Sequence, residues 1–178
     1  MKLCFIGSGV EKESVRIGCI EINSIVSVLI KKYDTLIYGG SYTGIMGEFA
    51  KSFKHHGGKV ISVVPEWLIE KELIFKESDE IIKCQSILDR KNIMFKKCDD
   101  ILCYPGGIGT IDELFTYLAC DTLETTFNKC NVYVYNFEKY YSPMLLQIET
   151  AKECGMIKSN KELSIKTFEY ADQLGMLL

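Results

Sequence analysis

Tyr104-Pro-Gly-Gly-Ile-Gly-Thr-Ile-Asp-Glu113 separates a short apolar run from a helical pattern, and the fold of the whole chain turns on that junction. Upstream, Ile101 to Tyr104 is compact and apolar and is closed by Pro105, which predicts a buried strand ending at a sharp turn. Downstream, Ile111, Leu114, Phe115, Leu118 and Ala119 recur at i, i+3, i+4, i+7 and i+8, one face of an amphipathic helix. The glycines therefore occupy a strand-to-helix junction, where bare backbone N–H groups and about half a positive charge at the helix N-terminus favour an anion. The expected feature is a phosphate cradle over Gly106, Gly107, Ile108, Gly109 and Thr110, with the Glu113 carboxylate beside it. A plainer reading of the same letters is a capping box, in which Thr110 caps the helix and Glu113 folds back onto the cap N–H. A capping box has no need of three glycines and a proline ahead of it, so the junction reads as a site.

Two other strand ends carry similar turns. Leu3 to Ile6 predicts a first strand, followed by the small-residue loop Gly7-Ser8-Gly9, the position at which open α/β sheets bind ligands. Thr35 to Tyr38 predicts a second strand running into Gly39-Gly-Ser-Tyr-Thr-Gly-Ile-Met-Gly47 and then a helix to about His56. Between these strands, Ser14 to Lys32 fits helical and alternating patterns alike, and its length favours helix. Lys59 to Val64 gives a third strand stopped by Pro65, and Glu66 to Ser78 reads as a charged loop with a short helix covering the site. Cys130 to Tyr135 is a further strand, Pro143 opens a helix to about Gly155, and Phe168 to Met176 is a terminal helix. A βαβαβ order extended by more βα units predicts an α/β fold, a doubly wound, Rossmann-like parallel sheet with helices on both faces, in a single domain over residues 1–178.

Cys84 to Cys98 predicts another helix, with Ser86 as cap and Asp89 completing a capping box. Ile87, Met94 and Cys98 form its inward stripe, and Arg90 and Lys91 fall on that same stripe. Cations at core positions need an anion or a carboxylate nearby, supplied either by a structural salt bridge or by a ligand.

Composition excludes several classes. The chain has 178 residues, 47% hydrophobic, with 21 basic and 24 acidic side chains and a net charge of -3. Charges are interspersed with no basic block, so neither nucleic acid nor an anionic membrane is an expected partner. No apolar run approaches the ~20 residues of a membrane span, and the opening apolar stretch is too short for a signal peptide, which together predict a cytoplasmic protein. Eight cysteines without a C-x-x-C pair read as free buried thiols, and no metal site is expected. His55 and His56 follow a predicted helix and precede Gly57-Gly58, which reads as a solvated helix end.

Pro105-Gly-Gly-x-Gly-Thr-x-x-Glu113 resembles the signature of the Lonely guy family, cytokinin riboside 5'-monophosphate phosphoribohydrolases long mislabelled lysine decarboxylases. The resemblance runs from Phe5 to about Gly155. Gly7-Ser8 matches the family's Gly-Ser-Ser turn with Gly9 in place of a serine, Gly39-Gly40 matches its second glycine-rich turn with Ser41 for the third glycine, and Arg90-Lys91 matches Met-x-x-Arg-Lys with Ile87 for the methionine. What the resemblance implies is hydrolysis of the N-glycosidic bond of a purine nucleoside 5'-monophosphate such as AMP or an N6-substituted AMP. Arg90 and Glu113 would be catalytic, and Gly7, Ser8, Gly39, Gly40, Lys91 and Gly106 to Thr110 would bind substrate. It further implies a homodimer and no cofactor. Cys120 and Thr122 depart from the family's Trp and Gln, which bears on the base. The competing reading is a non-catalytic nucleotide or molybdenum-cofactor carrier. Amino acid decarboxylation lacks a lysine in a recognisable pyridoxal phosphate setting.

Overall fold

The strands are β1 (Lys2–Ile6), β2 (Thr35–Tyr38), β3 (Lys59–Pro65), β4 (Glu80–Cys84), β5 (Asp100–Cys103), β6 (Asn131–Tyr135) and β7 (Ile165–Phe168), and all pairings between them are parallel. They form one sheet in the order β4-β3-β2-β1-β5-β6-β7. The computed structural model describes residues 1–10, 21–69, 71, 73–123, 127, 129–157 and 163–178. The expected doubly wound α/β fold is the fold observed.

Alternation along each strand sends side chains to two apolar layers, as a sheet buried on both faces requires. On one face Leu3, Phe5, Leu36, Tyr38, Leu102, Tyr104, Tyr133 and Tyr135 pack against helices α1 (Ile22–Leu29), α2 (Gly44–His55) and α7 (Ala171–Leu177). On the other, Cys4, Ile6, Ile37, Val63, Ile101, Cys103, Val132 and Val134 meet α4 (Ile87–Lys97), α5 (Ile108–Thr122) and α6 (Ser142–Glu153). A short α3 (Glu66–Ile69) follows β3. The segment after it lies on the second glycine-rich turn, through Tyr42 N–H to the Leu73 carbonyl (3.1 Å) and Phe75 N–H to the Gly40 carbonyl (2.9 Å).

Several expectations change. Strands β4 and β7 were not expected: both are edge strands that interleave charged and apolar residues, Glu-Ile-Ile-Lys-Cys and Ile-Lys-Thr-Phe, partly open to solvent and without a clean period. Phe168 therefore ends a strand, and the terminal helix starts at Ala171. Pro65 is the last residue of β3 rather than its stop. The part of the predicted 14–32 helix from 14 to 20, with Cys19, lies outside the described residues. Ile87 is 37% exposed and not inward, whereas Met94 and Cys98 are buried. Helix α5 buries Leu114, Tyr117 and Leu118 and leaves Phe115 at 39% exposure, so its inward face is rotated from the one that the apolar letters suggest. The rotation is set by Tyr117, whose hydroxyl accepts the Cys130 N–H at 2.7 Å.

Candidate active site

Strand order reverses between β1 and β5, and the crevice beyond the carboxyl ends of two such strands is where doubly wound sheets take ligands. Ile6 and Cys103 end these strands and are register partners, so Gly7-Ser8 and Tyr104-Pro-Gly-Gly107 leave the sheet side by side. The Ser8 N–H donates to the Pro105 carbonyl at 3.3 Å. From the other flank, the Met46 N–H donates to the Ser8 carbonyl at 3.0 Å, and the Thr43 hydroxyl to the Gly9 carbonyl at 2.9 Å. Three sequence-distant turns are thereby stitched into one floor.

The capping-box reading of the junction does not hold. Helix α5 begins at Ile108 with Gly107 as its cap and no capping side chain. Thr110 sits buried inside the first turn, its N–H bonded to the Gly107 carbonyl at 3.1 Å. A Cβ on Gly106 would lie 2.1 Å from Thr110 Oγ1 and 3.0 Å from Ser8 N, so only glycine allows this approach. Gly107, Ile108 and Gly109 are exposed at the helix N-terminus, where first-turn N–H groups lack intrahelical acceptors.

Glu113, freed from capping, is buried and accepts a hydrogen bond from Arg90 Nη2 at 2.6 Å. Arg90 is delivered by the start of α4, where Ser86 Oγ accepts the Asp89 N–H at 3.1 Å as expected of a cap. The Ser86 hydroxyl itself donates to the Asp89 carboxylate at 2.7 Å. The guanidinium lies against Gly39, where a Cβ would come within 3.2 Å of Nη1, and neighbouring Gly40 has a left-handed φ of +81°. Arg90 Nε is buried without a hydrogen-bond partner among the described residues. Burial pushes the Glu113 carboxyl above the ordinary glutamate value, against the pull of the Arg90 charge. Nearby, burial and the Glu113 charge hold the Cys103 thiol up at about 12, which keeps it protonated and unsuited to nucleophilic attack.

Lys91 faces elsewhere. Its ammonium donates to both Asp112 carboxylate oxygens (3.0 and 2.9 Å) and to the Thr116 hydroxyl (2.9 Å), clamping α4 to α5. Gly7, Ser8, Gly39, Gly40, Arg90, Gly106 to Thr110 and Glu113 all gather at the carboxyl edge of β1, β2 and β5 or on the helices leaving it. Sequence reasoning missed Tyr140 and Tyr141, whose hydroxyls donate to the Gly106 and Tyr104 carbonyls, both at 2.8 Å. The available signal was an adjacent aromatic pair between a predicted strand and the Ser-Pro opening of a helix. The arrangement can hold an anionic group on backbone donors and set an ion-paired carboxylate beside it.

Comparison with known proteins gives the same direction. A family model described as "Possible lysine decarboxylase" matches residues 46–176. A rice (Oryza sativa subsp. japonica) protein named "Probable cytokinin riboside 5'-monophosphate phosphoribohydrolase" is 31% identical over 154 residues, covering 86% of this chain and 65% of the rice protein. A Mycobacterium tuberculosis "Cytokinin riboside 5'-monophosphate phosphoribohydrolase" is 38% identical over 81 residues, 46% of this chain and 43% of that protein. The matches thus span less than two thirds of the length of these two relatives. Among solved structures, the molybdenum cofactor carrier protein of Chlamydomonas reinhardtii superposes with a TM-score of 0.68 at 19% identity, over 99% of this chain and 94% of that one. That likeness shows a shared fold.

Proposed function

The chain belongs to the Lonely guy family, the group of phosphoribohydrolases to which the "Possible lysine decarboxylase" model corresponds, and on that premise we propose that it hydrolyses purine ribonucleoside 5'-monophosphates. The observation that carries the reading is the buried Arg90–Glu113 pair beside an uncapped, glycine-rich helix N-terminus at the sheet's switch point. The 5'-phosphate would rest on the N–H groups of Gly106 to Thr110 and the Thr110 hydroxyl, with Gly7, Ser8, Gly39 and Gly40 allowing close approach. The ribose then lies over Glu113. Cleavage of an N-glycosidic bond passes through an oxocarbenium-like state, whose positive charge a carboxylate near C1' stabilises while aligning the attacking water. Arg90 keeps Glu113 oriented and opposes its protonation. Nucleoside 5'-monophosphate and water give free base and ribose 5-phosphate, without a metal or organic cofactor.

The decarboxylase reading gains nothing from Lys91, whose ammonium is engaged by Asp112 and Thr116. The carrier reading draws on a likeness at 19% identity, which supports fold and not function. Buried thiols such as Cys4, Cys84 and Cys103 fit a reducing compartment, and we propose that the reaction takes place in the cytoplasm. We also propose one catalytic domain over residues 1–178, working as a homodimer. Exposed Leu88 (72%), Phe115 and Leu123 (72%) on and after α4 and α5 support a partner there.

The direct test is incubation with a panel of nucleoside 5'-monophosphates and the matching nucleosides, with free base as readout. AMP should release adenine and an N6-substituted AMP the correspondingly N6-substituted adenine, and adenosine should react poorly because a neutral 5'-hydroxyl cannot use the anion cradle. Equal kcat/KM for AMP and adenosine refutes the assignment.

A further inference from the structure

Three consecutive carbonyls in the junction are each held from outside it. Tyr104 accepts from the Tyr141 hydroxyl, Pro105 from the Ser8 N–H and Gly106 from the Tyr140 hydroxyl. A trans peptide is planar and places its C=O and N–H on opposite sides. Holding the Pro105 carbonyl toward Ser8 therefore turns the Gly106 N–H away from Ser8, and holding the Gly106 carbonyl toward Tyr140 turns the Gly107 N–H away from Tyr140. Fixing the acceptors fixes the donors. Between two glycines this matters most, because the Gly106–Gly107 peptide has little steric resistance to rotation and a flip would turn an oxygen where a donor stood.

The turn that delivers Tyr140 is itself unusual. Glu138 and Lys139, neither a glycine, have φ of 50° and 61°, a left-handed region that costs L-residues energy. It is held by buried Asn136, whose side-chain oxygen accepts the Tyr141 N–H at 2.8 Å and whose amide donates to Ser142 Oγ at 3.2 Å, and by the Lys139–Glu169 ion pair. The Tyr140 ring is 39% exposed, so burial is not what fixes its hydroxyl.

We propose that Tyr140 is a positioning residue for the anion site: its hydroxyl locks the Gly106–Gly107 peptide so that the Gly107 N–H faces the 5'-phosphate of the substrate. The inference rests on the nucleotide reading above and adds to it a residue 34 positions beyond the cradle it orients.

The test is Tyr140→Phe, which removes one oxygen and keeps the ring. Loss of the lock should raise KM for AMP roughly tenfold, the scale of one hydrogen bond to a charged group, while kcat stays within about threefold. Inhibition by ribose 5-phosphate should weaken by the same factor, and the poor rate with adenosine should not move. A purely structural role would leave this phosphate-selective pattern unseen. Unchanged KM and unchanged inhibition overturn the proposal, as does a fall in kcat at constant KM, which would put Tyr140 at the reacting bond. Calorimetric titration with ribose 5-phosphate separates the two readings. Roughly tenfold weaker binding by the variant supports the lock even if the wild type shows no turnover, which would count against the hydrolase alone. Equal binding by both proteins, or none by the wild type, overturns the lock.

Discussion

Arg90 Nη2 and Glu113 Oε1 lie 2.6 Å apart, although the two side chains belong to different helices and both are largely withdrawn from water. The pair couples the start of α4 to the second turn of α5 and holds a carboxylate beside the proposed anion cradle. Glu113→Gln keeps the side chain's shape and removes its charge. Nucleotide binding should persist while turnover falls by at least the ~100-fold typical of a key electrostatic or acid–base group. Single-turnover base release with the variant checks this, and full activity would sink the proposed role of Glu113.

Acidity offers a second check. Burial, opposed by the Arg90 charge, sets the Glu113 carboxyl above the ordinary 4.5. In the proposed mechanism the working form is the carboxylate, so kcat/KM should fall as pH drops through that raised value, at a higher pH than an exposed glutamate would give. Stability runs the other way. The folded state holds this proton more tightly than the unfolded chain, so the group's contribution is greatest below 4.5 and diminishes as pH rises through the folded value. A kcat/KM profile whose acid limb lies at or below 4.5 contradicts the expectation.

The clamp between α4 and α5 should be felt in stability. Lys91→Met leaves Asp112, half exposed, to water and should cost about 1–2 kcal/mol. Asp112→Ala strands a buried ammonium on Thr116 alone and should cost more, about 2–4 kcal/mol. Thermal unfolding of both variants gives the order, with nucleotide KM expected to hold. A Lys91→Met protein of unchanged stability and greatly raised KM would instead give the ammonium to the substrate, the role that family resemblance implies.

Assembly is measurable by light scattering at micromolar concentration, where the proposed homodimer has twice the mass of one chain. Leu88→Glu places a charge at an exposed apolar position on α4 and should shift the mass toward that of one chain, with activity reduced. A single-chain mass for the wild type rules the dimer out.

The junctions were legible in the sequence because glycine, proline and a following apolar period carry local meaning, and the parallel sheet followed from their repetition. Arg90 and Lys91 were visible as cations at core-like positions. Their different partners were not, since nothing local says that one meets Glu113 and its neighbour Asp112. The same limit applies to Leu88 and Phe95, an apolar pair one heptad apart on α4 whose surroundings differ. Phe95 is in the core, 5.6 Å from the Tyr117 ring, and Leu88 is exposed, because helix rotation is decided by partners from other strands and helices. Tyr140 reaches the site only through a backbone turn of left-handed residues that no propensity foretells.

The pairing of β1 with β5 also sets when the site can exist. Leu3 lies opposite Asp100, so the central pair closes only after almost a hundred residues have been ordered or looped out. Closures of that span are slow, and parallel pairing adds to the delay. During synthesis, a chain stopped short of β5 presents one open edge of β1, with Leu3, Phe5 and Ile6 lacking the neighbour that later covers them. A nucleotide bound as proposed could not rescue that intermediate, because the floor formed by Ser8 and Pro105 is absent until the closure is made. Under the proposed function, substrate would protect the finished protein and leave nascent chains dependent on the speed of a single long-range encounter.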